Sequence, residues 1–342
     1  MRCVVAPSGV RASRPSAESL DAVRHLGARF PQARLRQTPV VRAQELDRRA
    51  DPTGDTRVWL ALEHMQVTGS FKVRGALVAL DALRGRGSLV AASAGNHGAA
   101  VSYAAGILGL AATLYVPRTI AAAKRERIER HGAQLVIAPS DHYDDAEAMA
   151  KEVAASKGVA FVSAYDDERV VLGNGSSLGF EIVQALGRAP ARIVAPFGGG
   201  GLATGLAWAA GNESAVWGAQ SEASCAMAMS LERGSAVERL ETGGTTLAEG
   251  LEGGISASAF ERARGVVAGV VVVSEAQIAR AMVHAHKDLG LVIEGSAAAA
   301  VAPVLDGLPG PVRGGDVVVV LTGRNVDAAR LEQARGLASA SA

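Results

Sequence analysis

The chain has 342 residues, 49% of them hydrophobic and 40 of them glycine, enough to bury a large core in one large or two medium domains. A formal net charge of +1, with acids and bases interspersed, supplies no basic field for nucleic acid or an anionic membrane surface, and no run of about 18 apolar residues is present to span a bilayer. Two cysteines, Cys3 and Cys225, are too few for a disulfide framework, and with no apolar leader at the N-terminus the expected location is cytoplasmic.

Residues 1–20 are rich in Arg, Ser and Pro without periodicity and read as an arm or loop. Thr38-Pro39-Val40-Val41 is a short extended segment, and a strand is predicted over 58–62. It leads into Thr68-Gly69-Ser70-Phe71-Lys72-Val73-Arg74-Gly75-Ala76. Val73, Ala76, Leu77 and Leu80 then recur at helical spacing, so a helix starts at or just before Lys72. A lysine in the first turn lies in the positive end of the helix dipole, which lowers its pKa and leaves more free amine for imine chemistry. A solvated surface lysine is the plain alternative.

From there strands and helices alternate. Strands are predicted over 89–92, 113–116, 134–137 and 160–162, with helices after Asn96 and over 121–131 and 141–156. The rhythm resumes with strands over 193–195, 216–219 and 270–273, the last followed by a capping box from Ser274 to Gln277, and ends with a strand over 316–321. The tail after Arg330 is small and polar and is expected to fray. Continuous apolar strands between helices define an α/β protein with mostly parallel sheets covered on both faces.

Two strand-to-helix loops can carry chemistry. Gly198, Gly199, Gly200 and Gly201 precede a helix near Leu202 and let backbone N–H groups converge on a phosphate with no Cβ in the way. No Lys-Ser/Thr follows, which excludes a Walker-type nucleotide loop. Ser93-Ala94-Gly95-Asn96-His97 joins a strand to a helix in the same manner, and its N–H groups can hold a carboxylate. His97 reads as a structural support of that loop rather than a base.

The lysine box, the Ser93-Ala94-Gly95-Asn96-His97-Gly98 loop, the four glycines, Glu294-Gly295-Ser296 and Thr322-Gly323-Arg324-Asn325 occur in an order and at spacings that resemble the fold type II pyridoxal-phosphate enzymes, the tryptophan synthase β group, and within it the threonine/serine dehydratase-like family. The resemblance covers about residues 38–327. It implies two three-layer α/β domains, with a small domain at 88–168 inserted into a large one made of 1–87 and 169–342, and the cofactor between them. It implies that Lys72 holds pyridoxal phosphate and acts as the base. Gly198, Gly199, Gly200, Gly201 and Leu202 would then hold the phosphate, and the side chain of Asn96 the phenolic oxygen. Phe71 and Gly250 would flank the ring, Glu294 would bound its edge or cap the following helix, and Thr322 would face the pyridine nitrogen. Ser93, Ala94, Gly95, Asn96 and His97 would bind the amino acid substrate, and the enzyme would be a homodimer.

The implied reaction is β-elimination from a β-hydroxy amino acid such as threonine or serine, giving a 2-oxo acid and ammonia. A neutral hydroxyl at Thr322 does not hold the nitrogen protonated, which weakens the electron sink and favours prompt loss of a β-group. β- or γ-replacement, as in cysteine or threonine synthases, and a hydroxyectoine-utilisation dehydratase are the alternative reactions; a non-catalytic ligand-binding module is disfavoured by the lysine box. Two departures from the family stand out. The run Gln220-Ser221-Glu222-Ala223-Ser224-Cys225-Ala226 lacks the acids of relatives that bind a divalent cation, so no metal is expected. Arg324 replaces the usual glycine, either to meet an acidic substrate group or to pair with a neighbour.

Overall fold

The computed structural model describes residues 1–10, 13–240, 246–308 and 315–340. Its strands are β1 (Arg2–Val5), β2 (Val40–Arg42), β3 (Thr56–Ala61), β4 (Ser88–Ala92), β5 (Ala111–Val116), β6 (Gln134–Ile137), β7 (Ala160–Phe161), β8 (Arg192–Pro196), β9 (Ala215–Ser221), β10 (Gly269–Val273) and β11 (Gly315–Val320). Among the described residues they form two sheets, one of seven strands in the order β1-β10-β9-β8-β11-β3-β2 and one of four in the order β6-β5-β4-β7. The small sheet is parallel throughout. The large one is parallel except at its two edges, where β1 runs against β10 and β2 against β3.

Strand alternation assigns each side chain to a face. In β11, Val317 and Val319 enter one hydrophobic cluster and Val318 and Val320 another. The first cluster is closed by the helices Gln44–Ala50, Glu275–Lys287 and Gly295–Leu305, the second by Ser177–Leu186, Gly201–Ala210, Ala226–Arg233 and Ala257–Arg264. The small sheet follows the same rule. Leu89 and Ala91 face the helices Lys72–Asp81 and Asn96–Leu108, while Val90 and Ala92 face Tyr143–Lys157. Both sheets are therefore covered on both sides, as continuous apolar strands require. The capping box at Ser274 and Gln277 is present.

Two expectations at the ends of the chain are corrected. Residues 2–5 are not loop: Arg-Cys-Val-Val pairs with β10 and caps the edge of the large sheet. The tail after Arg330 does not fray in the described residues, where Ala328–Ala340 is a helix with Ala334 buried against the first cluster. Neither segment has internal periodicity, because its partner in space rather than its own pattern selects its conformation.

One element had no signal in the sequence. Leu172–Ser176 is a turn of π-helix, and Asn174 Oδ1 accepts the backbone N–H of Gly75 at 2.8 Å. A Cβ on Gly173 would lie 2.6 Å from the Arg74 carbonyl oxygen, and one on Gly175 2.6 Å from Gly205 Cα. This close approach fixes the helix that begins at Lys72.

Candidate active site

Phe71 N–H donates to the Thr322 carbonyl at 3.1 Å, Arg324 N–H donates to the Gly69 carbonyl at 3.0 Å, and Ser70 forms an antiparallel bridge with Gly323. The lysine box is thus laced to the segment after β11, although most of the chain runs between them. Gly69 has φ +76°, and a Cβ there would collide with Asn325 Oδ1, so the turn requires glycine.

Lys72 opens its helix and is half-buried. Its amine donates to the Ala164 carbonyl at 3.1 Å and lies 5.2 Å from the centre of the Phe71 ring. Burial brings its pKa down to about 8, against the opposing pull of the Glu294 carboxylate. The direction matches the expectation, but its cause is burial rather than the helix dipole.

Glu294 precedes the helix Gly295–Leu305 and makes no side-chain cap there. Its Oε1 accepts from Asn96 Nδ2 at 2.7 Å instead. Asn96 Oδ1 accepts from Asn325 Nδ2 at 2.6 Å, and the same Nδ2 donates to the Thr68 carbonyl at 3.0 Å. Burial raises the Glu294 carboxyl to about 7 despite the hydrogen bond from Asn96. The chain Glu294–Asn96–Asn325–Thr68 ties the loop after β4, the segment after β11 and the lysine box into one polar line. Asn325 was quoted within its box but assigned no role; its only signal was a short polar side chain beside two glycine turns.

The glycine loop follows β8. Gly200 has φ +85° and lies at the start of the helix Gly201–Ala210, whose first turn has no side-chain cap. Gly198 faces the Gly250 carbonyl, 3.1 Å from where its Cβ would stand, and Gly250 N–H donates to Ser296 Oγ at 2.9 Å. A Cβ on Gly199 would run into the Tyr165 ring, a neighbour that sequence reasoning missed. Burial, then the negative charge of Glu147, raises the Tyr165 phenol to about 12. Leu202 and Thr322 are buried.

The 93–97 loop is built alike. Ser93 Oγ accepts from Gly95 N–H at 3.1 Å, and the helix Asn96–Leu108 also starts without a side-chain cap. Both N-termini therefore keep N–H donors for a ligand. His97 Nε2 pairs with the Val162 carbonyl at 3.1 Å, and burial, then the Lys72 charge, lowers its pKa to about 3. That suits a neutral support of the loop. Ala94 is half-buried. Arg324 is exposed, and among the described residues its side chain makes no hydrogen bond or ion pair; burial, then the Arg324 charge, lowers His64 to about 4. Among the described residues no group of His, Cys, Asp and Glu is arranged to hold a metal ion.

A half-buried amine that gives up its proton readily, two helix N-termini without side-chain caps and glycines that a Cβ would block together suit a phosphorylated aldehyde and an amino acid. The fold and site define a two-sheet α/β enzyme organised around one lysine. The chain belongs to the pyridoxal-phosphate dependent enzyme family, whose model matches residues 32–323. It is 37% identical over 281 residues to the L-threonine ammonia-lyase of Thermotoga maritima, covering 79% of this chain and 67% of that one. It is 33% identical over 294 residues to the catabolic L-threonine dehydratase of Escherichia coli, covering 83% and 87%. Among solved structures, the threonine deaminase of T.th. superposes with a TM-score of 0.81 at 32% identity, covering 92% of this chain and 99% of that one.

Proposed function

We propose that this protein is a pyridoxal-phosphate dependent ammonia-lyase that removes the β-hydroxyl and the amine of threonine, serine or a related β-hydroxy amino acid, releasing a 2-oxo acid and ammonia. The observation that carries this reading is the Lys72 amine, brought down to about 8 by burial and bonded to the Ala164 carbonyl, next to the Tyr165 whose ring meets Gly199 of the glycine loop. Similarity to threonine ammonia-lyases and dehydratases supports it.

Pyridoxal phosphate would be held by Lys72, with the backbone N–H groups of Gly198, Gly199, Gly200, Gly201 and Leu202 serving its phosphate and Asn96, Thr322, Phe71, Gly250 and Glu294 serving its ring. When bound, pyridoxal phosphate supplies the electron sink for the charge left at Cα. The N–H groups of 93–97 fix the substrate carboxylate, which orients the Cα–H bond toward Lys72. Lys72 takes that proton, and a pKa near 8 lets it both accept and return a proton near neutral pH. Thr322 offers a neutral hydroxyl, so loss of the β-group competes well with reprotonation. Ala94, at the position where racemising relatives carry a hydroxyl, can give or take no proton, so it cannot supply the second acid that racemisation needs.

The same reading takes residues 88–168 as the small domain and 1–87 with 169–342 as the large one; the support is that β4 to β7 form their own sheet. It also takes the enzyme as a cytoplasmic homodimer. Two unpaired cysteines, the lack among the described residues of a helix long and apolar enough to cross a membrane, and exposed Val5 and Val41 on the two edge strands support this. Sedimentation tests the dimer.

The deciding experiment incubates the holoenzyme with L-threonine and L-serine in deuterated water and follows 2-oxo acid, D-isomer and label at Cα. Release of 2-oxo acid with little D-isomer is expected. D-serine forming as fast as pyruvate would refute the argument from Ala94, and exchange of β- or γ-groups on O-activated substrates without 2-oxo acid would replace elimination by group replacement.

A further inference from the structure

The junction that holds Lys72 also carries a half-buried cation that makes no ion pair among the described residues. Arg127 lies on the helix Ala122–Glu129, where Lys124, Arg127 and Ile128 stand at i, i+3 and i+4 and share a face. Its two neighbours show where that face looks. Lys124 Nζ reaches across to Glu249 Oε2 at 2.7 Å, beside Gly250. Ile128 is buried under the start of the helix Asn96–Leu108, with Cδ1 3.1 Å from where a Cβ on Gly98 would stand, and its carbonyl accepts from Ser102 Oγ at 2.6 Å. Arg127 lies between a link to the cofactor-side loop and a residue packed against the loop that receives the substrate.

Other arginines of this helix and its end are paired. Arg125 meets Glu129 at 2.9 Å and Arg130 meets Glu126 at 3.2 Å, both on the exposed side. Arg127 is half-buried, and among the described residues its guanidinium makes no hydrogen bond and no ion pair. Burial pushes its pKa down, and the Glu294 carboxylate is the acid that it senses. Glu294 is already engaged by Asn96. A partly desolvated guanidinium without an acceptor is costly unless a ligand supplies one. The substrate's own carboxylate and the phosphate each have a capless helix N-terminus to bind, so neither accounts for Arg127.

We propose that Arg127 is a specificity-determining residue that receives a second carboxylate carried on the β-carbon of the substrate, making an acidic β-hydroxy amino acid such as 3-hydroxyaspartate the preferred class. The planar fork of arginine matches a carboxylate in two hydrogen bonds, which a neutral methyl such as that of threonine cannot use. The assignment rests on the elimination reading above but is separable from it by experiment.

The test uses holoenzyme and two ligands that have no β-hydroxyl to lose, L-aspartate and L-2-aminobutyrate, with binding followed by calorimetry. Aspartate is expected to bind at least about tenfold tighter, and Arg127→Ala to erase that preference while leaving 2-aminobutyrate within about twofold. Arg127→Lys should restore part of it. In parallel, the ratio of kcat/KM for 3-hydroxyaspartate over threonine should fall by about 30-fold or more in Arg127→Ala. Equal binding of the two ligands by the wild type, or equal losses for both in the variant at unchanged Tm, would overturn the assignment. If the aspartate preference depends on Arg127 yet no 2-oxo acid is released from either substrate, the elimination reading fails and the Arg127 site stands.

Discussion

Lys72 and Arg74 lie two residues apart on the helix Lys72–Asp81, and the protein treats their charges in opposite ways. The step of about 100° per residue sends them to different sides of the helix. Arg74 is fully buried and fully answered. Its guanidinium donates to Glu63 at 2.8 and 3.0 Å, to Glu181 at 2.9 and 2.7 Å, to Thr38 Oγ1 at 2.8 Å and to Ser177 Oγ at 3.2 Å. Burial alone would lower its pKa, but Glu63 and Glu181 raise it above the ordinary arginine value. Burial would likewise raise Glu181, yet the Arg74 charge and hydrogen bonds hold it below the usual carboxylate range. Lys72 has one carbonyl for a partner, and the acid whose charge acts on it, Glu294, is itself raised to about 7. A charge kept for structure is saturated with partners, whereas a charge kept for chemistry is left under-solvated and able to change.

Removing each cation should separate the two roles. Lys72→Ala should cut turnover by roughly 10⁴-fold or more, since proton transfer and cofactor attachment are lost together. Its Tm should not fall, because a desolvated amine has gone; a fall of many degrees with partial turnover would make Lys72 a structural residue. Borohydride reduction and peptide mapping of the wild type should place a pyridoxyl group on Lys72. Arg74→Met should behave in reverse, costing about 3–5 kcal/mol in urea unfolding because Glu63 and Glu181 remain buried without their cation. Arg74→Lys should rescue little, since a single ammonium cannot serve two carboxylates in fork geometry. Smaller still is Gly199→Ala, whose Cβ meets the Tyr165 ring and should weaken cofactor retention roughly 10-fold to 100-fold. Retention that recovers in Gly199→Ala combined with Tyr165→Ala would locate the fault in that contact.

The sequence carried one member of this comparison and missed the other. Lys72 was legible because its helix start, its glycine turn and the later glycine loop are local patterns at recognisable spacing. Arg74 stood in the same quoted stretch but drew no attention, since its partners Glu63, Glu181 and Thr38 are scattered along the chain and only folding assembles them. The parallel strands were legible from apolar runs, with β6 matching its predicted bounds. The strand at 2–5 and the terminal helix were not, because pairing with β10 and packing on the first cluster come from outside those segments. Asn325 and Tyr165 escaped for the same reason: one bridges two loops and the other meets the glycine loop from the segment after β7.

The smallest effect concerns the acid that faces Lys72. The folded-state pKa of Glu294 is raised from the ordinary 4.5 to about 7. Between those values the unfolded chain has released the proton that the folded protein keeps, so the folded state binds more protons and stability falls as pH rises through the window. Lys72 adds no slope there, because its amine, at about 8 in the fold, is protonated in both states below that pH. Glu294→Gln carries no charge at any pH, and its amide oxygen still accepts from Asn96. Cofactor-free wild type and variant should therefore be about equally stable at about pH 4.5. The variant should be the more stable by roughly 1–2 kcal/mol at about pH 8, a figure reduced for the water that reaches this half-buried group. Urea midpoints at about pH 4.5, 6 and 8 measure the difference. A gap that stays constant with pH would mean that Glu294 titrates as an ordinary surface acid, and the contrast between the saturated charge at Arg74 and the strained pair at Lys72 would then rest on the lysine alone.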